Sequence, residues 1–181
     1  MLSERSMVDD ARNGGSQKAA WESDDVCTLL ARHYKLPVKD IQVYVLGEHG
    51  DTQVVPWSLI SVKGKPIEEF PDFAGMKDNL FEELRTAGAK IIANKGATFY
   101  AVSLSVTELC KTIIQDLGFV HTVSAMLKGE YGITDVCLSL PFIVNGNGIK
   151  ELFEVKLTSE EEKLLHKSAN ALKEFIASLA I

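Results

Sequence analysis

The stretch that decides the fold runs from Val120 to Ile149 and reads VHTVSAMLKGEYGITDVCLSLPFIVNGNGI. Two clusters of turn residues, KGEYG at 128–132 and NGNG at 145–148, divide it into runs of apolar and β-branched residues. Such runs, bounded by glycine-rich turns, are typical of strands joined by short connections. The pattern predicts an antiparallel meander of three strands, at 120–127, 135–144 and 149–157.

Helices are predicted on both sides of the meander. On its carboxyl-terminal side, Thr158 and Glu161 have the spacing of a capping box, in which each side chain accepts a hydrogen bond from a backbone amide at the start of a helix. On its amino-terminal side, apolar residues recur at helical spacing over 80–92 and again over 98–115. The segment at 98–115 is apolar almost all round, which predicts a helix buried in the core.

The amino-terminal part of the chain predicts shorter elements around a polar loop. A helix from residue 24 closes before Pro37, because proline disfavours helix in the residue that precedes it. Strands are predicted at 41–46 and 53–62, and a hairpin turn at KGKP, residues 63–66. Because strands and helices do not alternate, the predicted fold class is α+β, with antiparallel strands packed against long helices. No GxGxxG motif follows a predicted strand, so we expect no Rossmann domain in these 181 residues.

Composition limits the classes of partner. The net charge is −6, and the 19 basic residues are scattered rather than collected into a stripe that could follow a nucleic-acid backbone. No apolar run reaches the roughly 20 residues that a membrane-spanning helix needs. The three cysteines are widely spaced without a CxxC pair, which argues against a disulfide framework or a zinc site and favours a cytoplasmic protein: Cys27, Cys110 and Cys137.

One loop histidine is the best candidate for chemistry. His49 lies between Gly47 and Gly50, with an acidic residue on either side, directly after the strand predicted at 41–46. A histidine changes charge around neutral pH and therefore suits a proton donor or acceptor. The residues alone leave an alternative open, in which the glycines only form a turn and His49 caps a backbone carbonyl. Structural roles are favoured for the other three histidines, which lie in predicted helices or a strand: His33, His121 and His166.

Four separated segments resemble the L-lactate dehydrogenases of the lactate/malate dehydrogenase superfamily, over the C-terminal catalytic domain only. They are VLGEHGDTQVVPWS at 45–58, KGATFYAVSLSV at 95–106, the segment at 120–149 quoted above, and LTSEEEKLLHKSA at 157–169. Malate dehydrogenases of the superfamily usually carry glycine at the position of Glu48. GEHGD together with Trp57 therefore favours the lactate branch.

The resemblance implies a function and a set of site residues. The function is that of a cytoplasmic oxidoreductase of glycolysis and carboxylic acid metabolism, which reduces pyruvate to lactate with NADH. His49 is then the proton donor and acceptor, Thr98 lines the substrate pocket, and Val102 packs against the nicotinamide ring. NAD is the cofactor of the parent family, although we expect no tight binding by this chain alone. Family members are dimers or tetramers, so a homo-oligomer is expected.

The sequence departs from the family upstream of Val26. Glu22 stands where the family has the aspartate that partners the histidine, and Asp25 stands where it has the arginine that grips the substrate carboxylate. Residues 1–21 match nothing in the family and predict either a flexible leader or a segment that is foreign to the native protein, with the domain at 22–181. At the two positions through which some bacterial relatives bind fructose 1,6-bisphosphate this chain has Cys27 and Gln42, so we expect no such activation.

These departures keep several functions open. We expect the isolated chain to be inactive, since hydride transfer also needs the nucleotide-binding half and the substrate arginine of the parent enzyme. One alternative is a non-catalytic oligomerisation or binding module of the same fold. Another is a fragment of a malate dehydrogenase or of a different 2-hydroxy-acid dehydrogenase.

Overall fold

The computed structural model describes residues 26–77 and 100–179, and between them residues 79, 80, 82, 83, 86 and 93. The predicted leader at 1–21 and most of the helix predicted at 80–92 lie outside the described residues. Among the predicted site residues, Glu22 and Thr98 also lie outside them, as does Asp25. No helix in the described part of the chain is both long and apolar enough to cross a membrane.

A short helix and a small sheet form the amino-terminal layer. Helix α1 covers 26–34 and ends before Pro37, as predicted. Strands β1 (Ile41–Gln42), β2 (Ser61–Val62) and β3 (Lys65–Pro66) form an antiparallel sheet in the order β1-β2-β3. The β2–β3 turn contains Lys63 and Gly64, both with positive φ (53° and 77°), which is the backbone that a tight two-residue hairpin requires. A hairpin is therefore confirmed, but its turn is shorter than the predicted 63–66, and the residues predicted to follow the turn form a 3-10 helix at Ile67–Glu69 instead of a second strand.

The prediction of a strand at 53–62 is wrong over most of that range. Only Val54, which bridges to Leu46, and β2 are extended and paired there. Between them Pro56 has no amide hydrogen to donate to a ladder, and a 3-10 turn at Trp57–Leu59 follows it. The strand predicted at 41–46 is likewise shorter, because β1 ends at Gln42.

The predicted meander is confirmed. Strands β4 (Phe119–Lys128), β5 (Thr134–Asn145) and β6 (Gly148–Leu152) pair antiparallel in the order β4-β5-β6. The third strand is shorter than predicted, because the Tyr131 hydroxyl donates to the Val155 carbonyl (2.7 Å) and accepts from the Val155 amide (3.0 Å). These side-chain bonds replace the ladder bonds of Val155.

Two long helices pack against this sheet, and they differ from the prediction in one respect. Helix α2 spans Tyr100–Ile114 and helix α3 spans Ser159–Ser178. The capping box at the start of α3 is confirmed. The prediction that α2 is buried on all sides is wrong for the described residues, since Leu104 is 60% exposed and Ile114 is 82% exposed. Thr112, at 1% exposure, lies on a covered side of α2, and Ile114, two residues further on, lies on the opposite and exposed side.

Among the described residues, the core consists of two hydrophobic clusters, and one segment crosses between them. The first cluster contains α1 residues, the small sheet and Trp57, whereas the second contains the meander and the buried face of α3. Val45 and Val55 belong to the first cluster, while Leu46 and Val54 belong to the second. The loop that carries His49 follows Val45 and Leu46 and precedes Val54 and Val55. Each end of the loop is therefore held by one residue of each cluster.

Candidate functional site

The His49 loop, residues 47–53, is closed at its base by four backbone hydrogen bonds. Leu46 and Val54 each donate an amide hydrogen to the carbonyl of the other, at 2.8 Å in both directions. Gly47 and Ser139 do the same, at 3.0 and 3.1 Å, and this pair joins the loop to the central strand β5. The position of the loop is therefore fixed by the sheet.

Inside the His49 loop, Glu48 connects the two arms. Its carboxylate accepts hydrogen bonds from the Thr52 amide (3.1 Å) and the Thr52 hydroxyl (2.7 Å). The Gln53 amide donates to the Gly50 carbonyl (3.2 Å), which closes the turn at the tip. The sequence marked Glu48 only as a residue that separates branches of a superfamily, and the structure shows that this side chain also holds the loop closed.

Helix α3 supplies a contact that the sequence did not predict. The Ser168 hydroxyl accepts a hydrogen bond from the Glu48 amide (2.7 Å), and Ser168 is fully buried. Gly47 allows this approach, because it has a φ of +94° and a Cβ at its position would lie 2.6 Å from the Ser168 Oγ. No local sequence signal could have identified Ser168, since 120 positions separate it from Glu48.

Gly47→Ala tests this close approach through stability. We expect a loss of about 3 kcal/mol, from about 1 kcal/mol for a non-glycine residue in a left-handed conformation and about 2 kcal/mol for the clash with Ser168. Gly64→Ala is the matched control, because Gly64 also has positive φ (+77°) but its alanine methyl group would have no neighbouring atom within 4 Å. Urea unfolding of both variants gives the comparison. Equal destabilisation by the two substitutions would contradict the clash with Ser168.

His49 itself lies at the tip of the loop and is exposed, as are Gly50 and Asp51. Its side chain is at the surface rather than inside either hydrophobic cluster. Val102, on α2, is half-buried. Since Glu22 and Thr98 lie outside the described residues, His49 and Val102 are the two predicted site residues whose positions the structure gives.

The remaining histidines occupy three different environments. His121 on β4 has its Nε2 atom 2.8 Å from the hydroxyl of buried Thr112, and burial lowers the pKa of His121 while Glu108 opposes that change. His33 contacts the ring of Tyr34 edge-on, with 4.8 Å between ring centroids. His166 is exposed on α3. Packing around Thr112 thus accounts for the placement of His121, whereas His33 is exposed on α1.

A buried carboxylate on α3 binds Ser58, five residues after the end of the His49 loop. Glu161 accepts hydrogen bonds from the Ser58 amide (3.1 Å), the Ser58 hydroxyl (2.6 Å) and the Thr158 amide (2.9 Å). Burial raises the pKa of the Glu161 carboxyl, but the hydrogen bonds from Ser58 and Thr158 outweigh burial and lower this pKa below its usual value of 4.5. Glu161 is therefore ionised at neutral pH, and its charge is satisfied by these donors.

Among the described residues, no cluster of metal-binding side chains is present and the start of α3 is already capped. No group of three or more His, Cys, Asp or Glu side chains among them is placed to hold a metal. At the start of α3, the Thr158 hydroxyl already accepts from the Glu161 amide (3.3 Å), so that amide is not available to a pyrophosphate. Val102 is the described residue predicted to meet a nicotinamide ring. No disulfide joins the three cysteines, all of which are described.

Comparison with known proteins identifies the family. The family model of the lactate/malate dehydrogenase, alpha/beta C-terminal domain, matches residues 26–180 of this chain. The chain belongs to the lactate/malate dehydrogenase family. The α+β class predicted from the meander and the long helices is the fold of that C-terminal domain.

Individual family members show how much of a whole dehydrogenase the chain represents. The L-lactate dehydrogenase of Acetivibrio thermocellus is 42% identical over 159 residues, which are 84% of this chain and 50% of that protein. L-lactate dehydrogenase 1 of Clostridium acetobutylicum is 36% identical over 157 residues, or 83% of this chain and 50% of that protein. The chain thus spans about half the length of the curated relatives it matches, and it corresponds to the C-terminal domain of an L-lactate dehydrogenase homologue.

Solved structures of the family give the same result. The ligand-bound minor L-lactate dehydrogenase of Enterococcus mundtii superposes with a TM-score of 0.84 at 30% identity, over 90% of this chain and 53% of that one. The malate dehydrogenase of Salinibacter ruber also gives a TM-score of 0.84, at 26% identity and with the same coverage of both chains. The fold is therefore shared by lactate and malate dehydrogenases and does not separate the two activities.

Proposed function

We propose that this chain is the substrate and catalytic domain of an NAD-dependent L-lactate dehydrogenase, in which His49 exchanges a proton with the substrate. The observation that carries the proposal is the exposed position of His49 at the tip of a GEHGD loop whose base is bonded to the core. The lactate dehydrogenase activity named for the sequence relatives supports the choice of substrate. Glu48 favours the same branch.

The chemistry assigned to His49 is proton transfer to a carbonyl oxygen. When pyruvate is reduced, the protonated imidazole donates a hydrogen bond and then its proton to the carbonyl oxygen, and lactate leaves with a hydroxyl group. In the reverse direction the neutral imidazole accepts the lactate hydroxyl proton. NADH, when bound, supplies the hydride. A loop held at its base keeps the imidazole in one place before substrate arrives, which lowers the entropic cost of the reaction.

The remaining residues of the proposed site have supporting roles. Thr98 lines the substrate pocket, Val102 packs against the nicotinamide ring, and Glu22 takes the place of the aspartate that stabilises the protonated histidine. We also propose that the domain extends over 22–181, that the protein is cytoplasmic, and that it forms a homo-oligomer. Apolar side chains exposed on α2 and β4 support self-association: Leu104, Ile114, Phe119 and Met126.

A non-catalytic oligomerisation or binding module is the second candidate. Asp25 is the observation that favours it, because a carboxylate at the position of the family arginine repels the substrate carboxylate. A malate or other 2-hydroxy-acid dehydrogenase is a further alternative, and the fold shared with the Salinibacter ruber enzyme is compatible with it.

The test uses a joined chain, in which residues 22–181 are fused to the amino-terminal half of the Acetivibrio thermocellus L-lactate dehydrogenase. NADH oxidation with pyruvate is followed by absorbance for the joined chain and for the 181-residue chain alone. We expect no turnover by the 181-residue chain and weak turnover by the joined chain, because Asp25 still opposes pyruvate binding. A joined chain without pyruvate turnover, even after Asp25→Arg, would favour the non-catalytic module.

A further inference from the structure

One face of helix α3 binds both ends of the segment 48–58, which contains His49. Glu161 bonds to Ser58 at the carboxyl-terminal end, and Ser168 bonds to the Glu48 amide at the amino-terminal end. Glu161 and Ser168 are seven residues apart, so they project from the same side of the helix, two turns from each other. Leu165, fully buried between them, packs that side into the core.

The Ser168 contact lies next to the proposed catalytic histidine. Ser168 accepts from the Glu48 amide at 2.7 Å, and its hydroxyl oxygen lies 3.3 Å from that of Thr52. A hydroxyl carries one proton, so Thr52 donates to the nearer Glu48 carboxylate oxygen at 2.7 Å. The Glu48 amide bond is therefore the main link between the loop and the helix. Glu48 directly precedes His49, and a change in its peptide orientation changes the position of the imidazole.

We propose that Ser168 is a positioning residue for His49, and that α3 sets the orientation of the imidazole through the Glu48 amide. This inference rests on the proposed function, since it assigns Ser168 a part in placing the proton donor. Ser168 itself touches no substrate in the proposal. Ser168 is fully buried and its hydroxyl lies close against the Gly47 backbone, which suits a fixed anchor.

The test compares Ser168→Ala with Ser178→Ala in the 181-residue chain. Ser178 is the matched control because it lies on the same helix, is exposed, and donates only to the Phe175 carbonyl (2.6 Å). Hydrogen exchange of the Glu48 amide is measured by NMR, together with the His49 ring resonances at one pH, assigned with His49→Asn. We expect Ser168→Ala to speed Glu48 exchange about five- to tenfold and to move the His49 resonances.

Two other histidines distinguish a general loosening of the fold from a local change in the His49 loop. The ring resonances of His33 and His121 stay unchanged in Ser168→Ala if only the His49 loop responds. Unchanged Glu48 exchange, or unchanged His49 resonances, would overturn the proposal. Neither measurement needs pyruvate or NADH, so failure of the joined-chain assay and failure of the positioning role give different results.

Discussion

Asp25→Arg raises kcat/KM for pyruvate in the joined chain by about 10³-fold. At the aligned position the family arginine binds the substrate carboxylate with two parallel N–H groups, and an aspartate repels that carboxylate. For charges about 4 Å apart at an effective dielectric near 20, the attraction alone contributes about 4 kcal/mol, which corresponds to about three powers of ten. Steady-state NADH oxidation at several pyruvate concentrations gives the value.

Three variants separate charge from geometry at this position. Asp25→Asn removes the repulsion without adding a donor pair, so a smaller gain is expected. Asp25→Lys adds a point charge without the planar fork and is expected to lie between asparagine and arginine. Asp24→Arg is the matched control for a nearby positive charge. Equal gains from Asp24→Arg and Asp25→Arg would show that the alignment upstream of Val26 is displaced.

The parts of the fold that could be predicted are those that local rules decide. Glycine clusters delimit β4, β5 and β6, and the capping box needs only Thr158 and Glu161, three residues apart. The segment at 53–62 could not be predicted in this way. Its apolar residues are typical of a strand, but Val54 packs in one hydrophobic cluster and Val62 in the other. These long-range contacts determine the path of the backbone. Pro56 was the local signal against a continuous strand.

In the candidate site, too, local sequence signals identified some residues and not others. His49 was identifiable because a histidine between two glycines in a polar loop is locally unusual and lies in a recognisable motif. Ser168 and Glu161 were not identifiable as partners of this segment, because on the sequence they are ordinary polar residues of an amphipathic helix. Their partners lie 120 and 103 positions away, and only the packing of α3 on the meander brings them together.

His49→Asn, made in the joined chain that already carries Asp25→Arg, lowers kcat for pyruvate by about 10²–10⁴-fold. This is the range that removal of a positioned general acid or base produces. Asparagine keeps a polar side chain of similar reach at the exposed tip of the loop, so the backbone bonds of Leu46 and Gly47 are expected to persist. KM changes little by comparison, because the carboxylate is held by the arginine at position 25 rather than by the imidazole.

The control for this variant is His166→Asn, which removes an exposed histidine from α3 and is expected to leave kcat unchanged. The two variants are compared at the same pH, with unfolding curves to show that each remains folded. A fall in kcat of less than tenfold in His49→Asn would remove His49 from the reaction. The exposed imidazole would then be a feature of the turn, in line with the structural alternative that its flanking glycines left open.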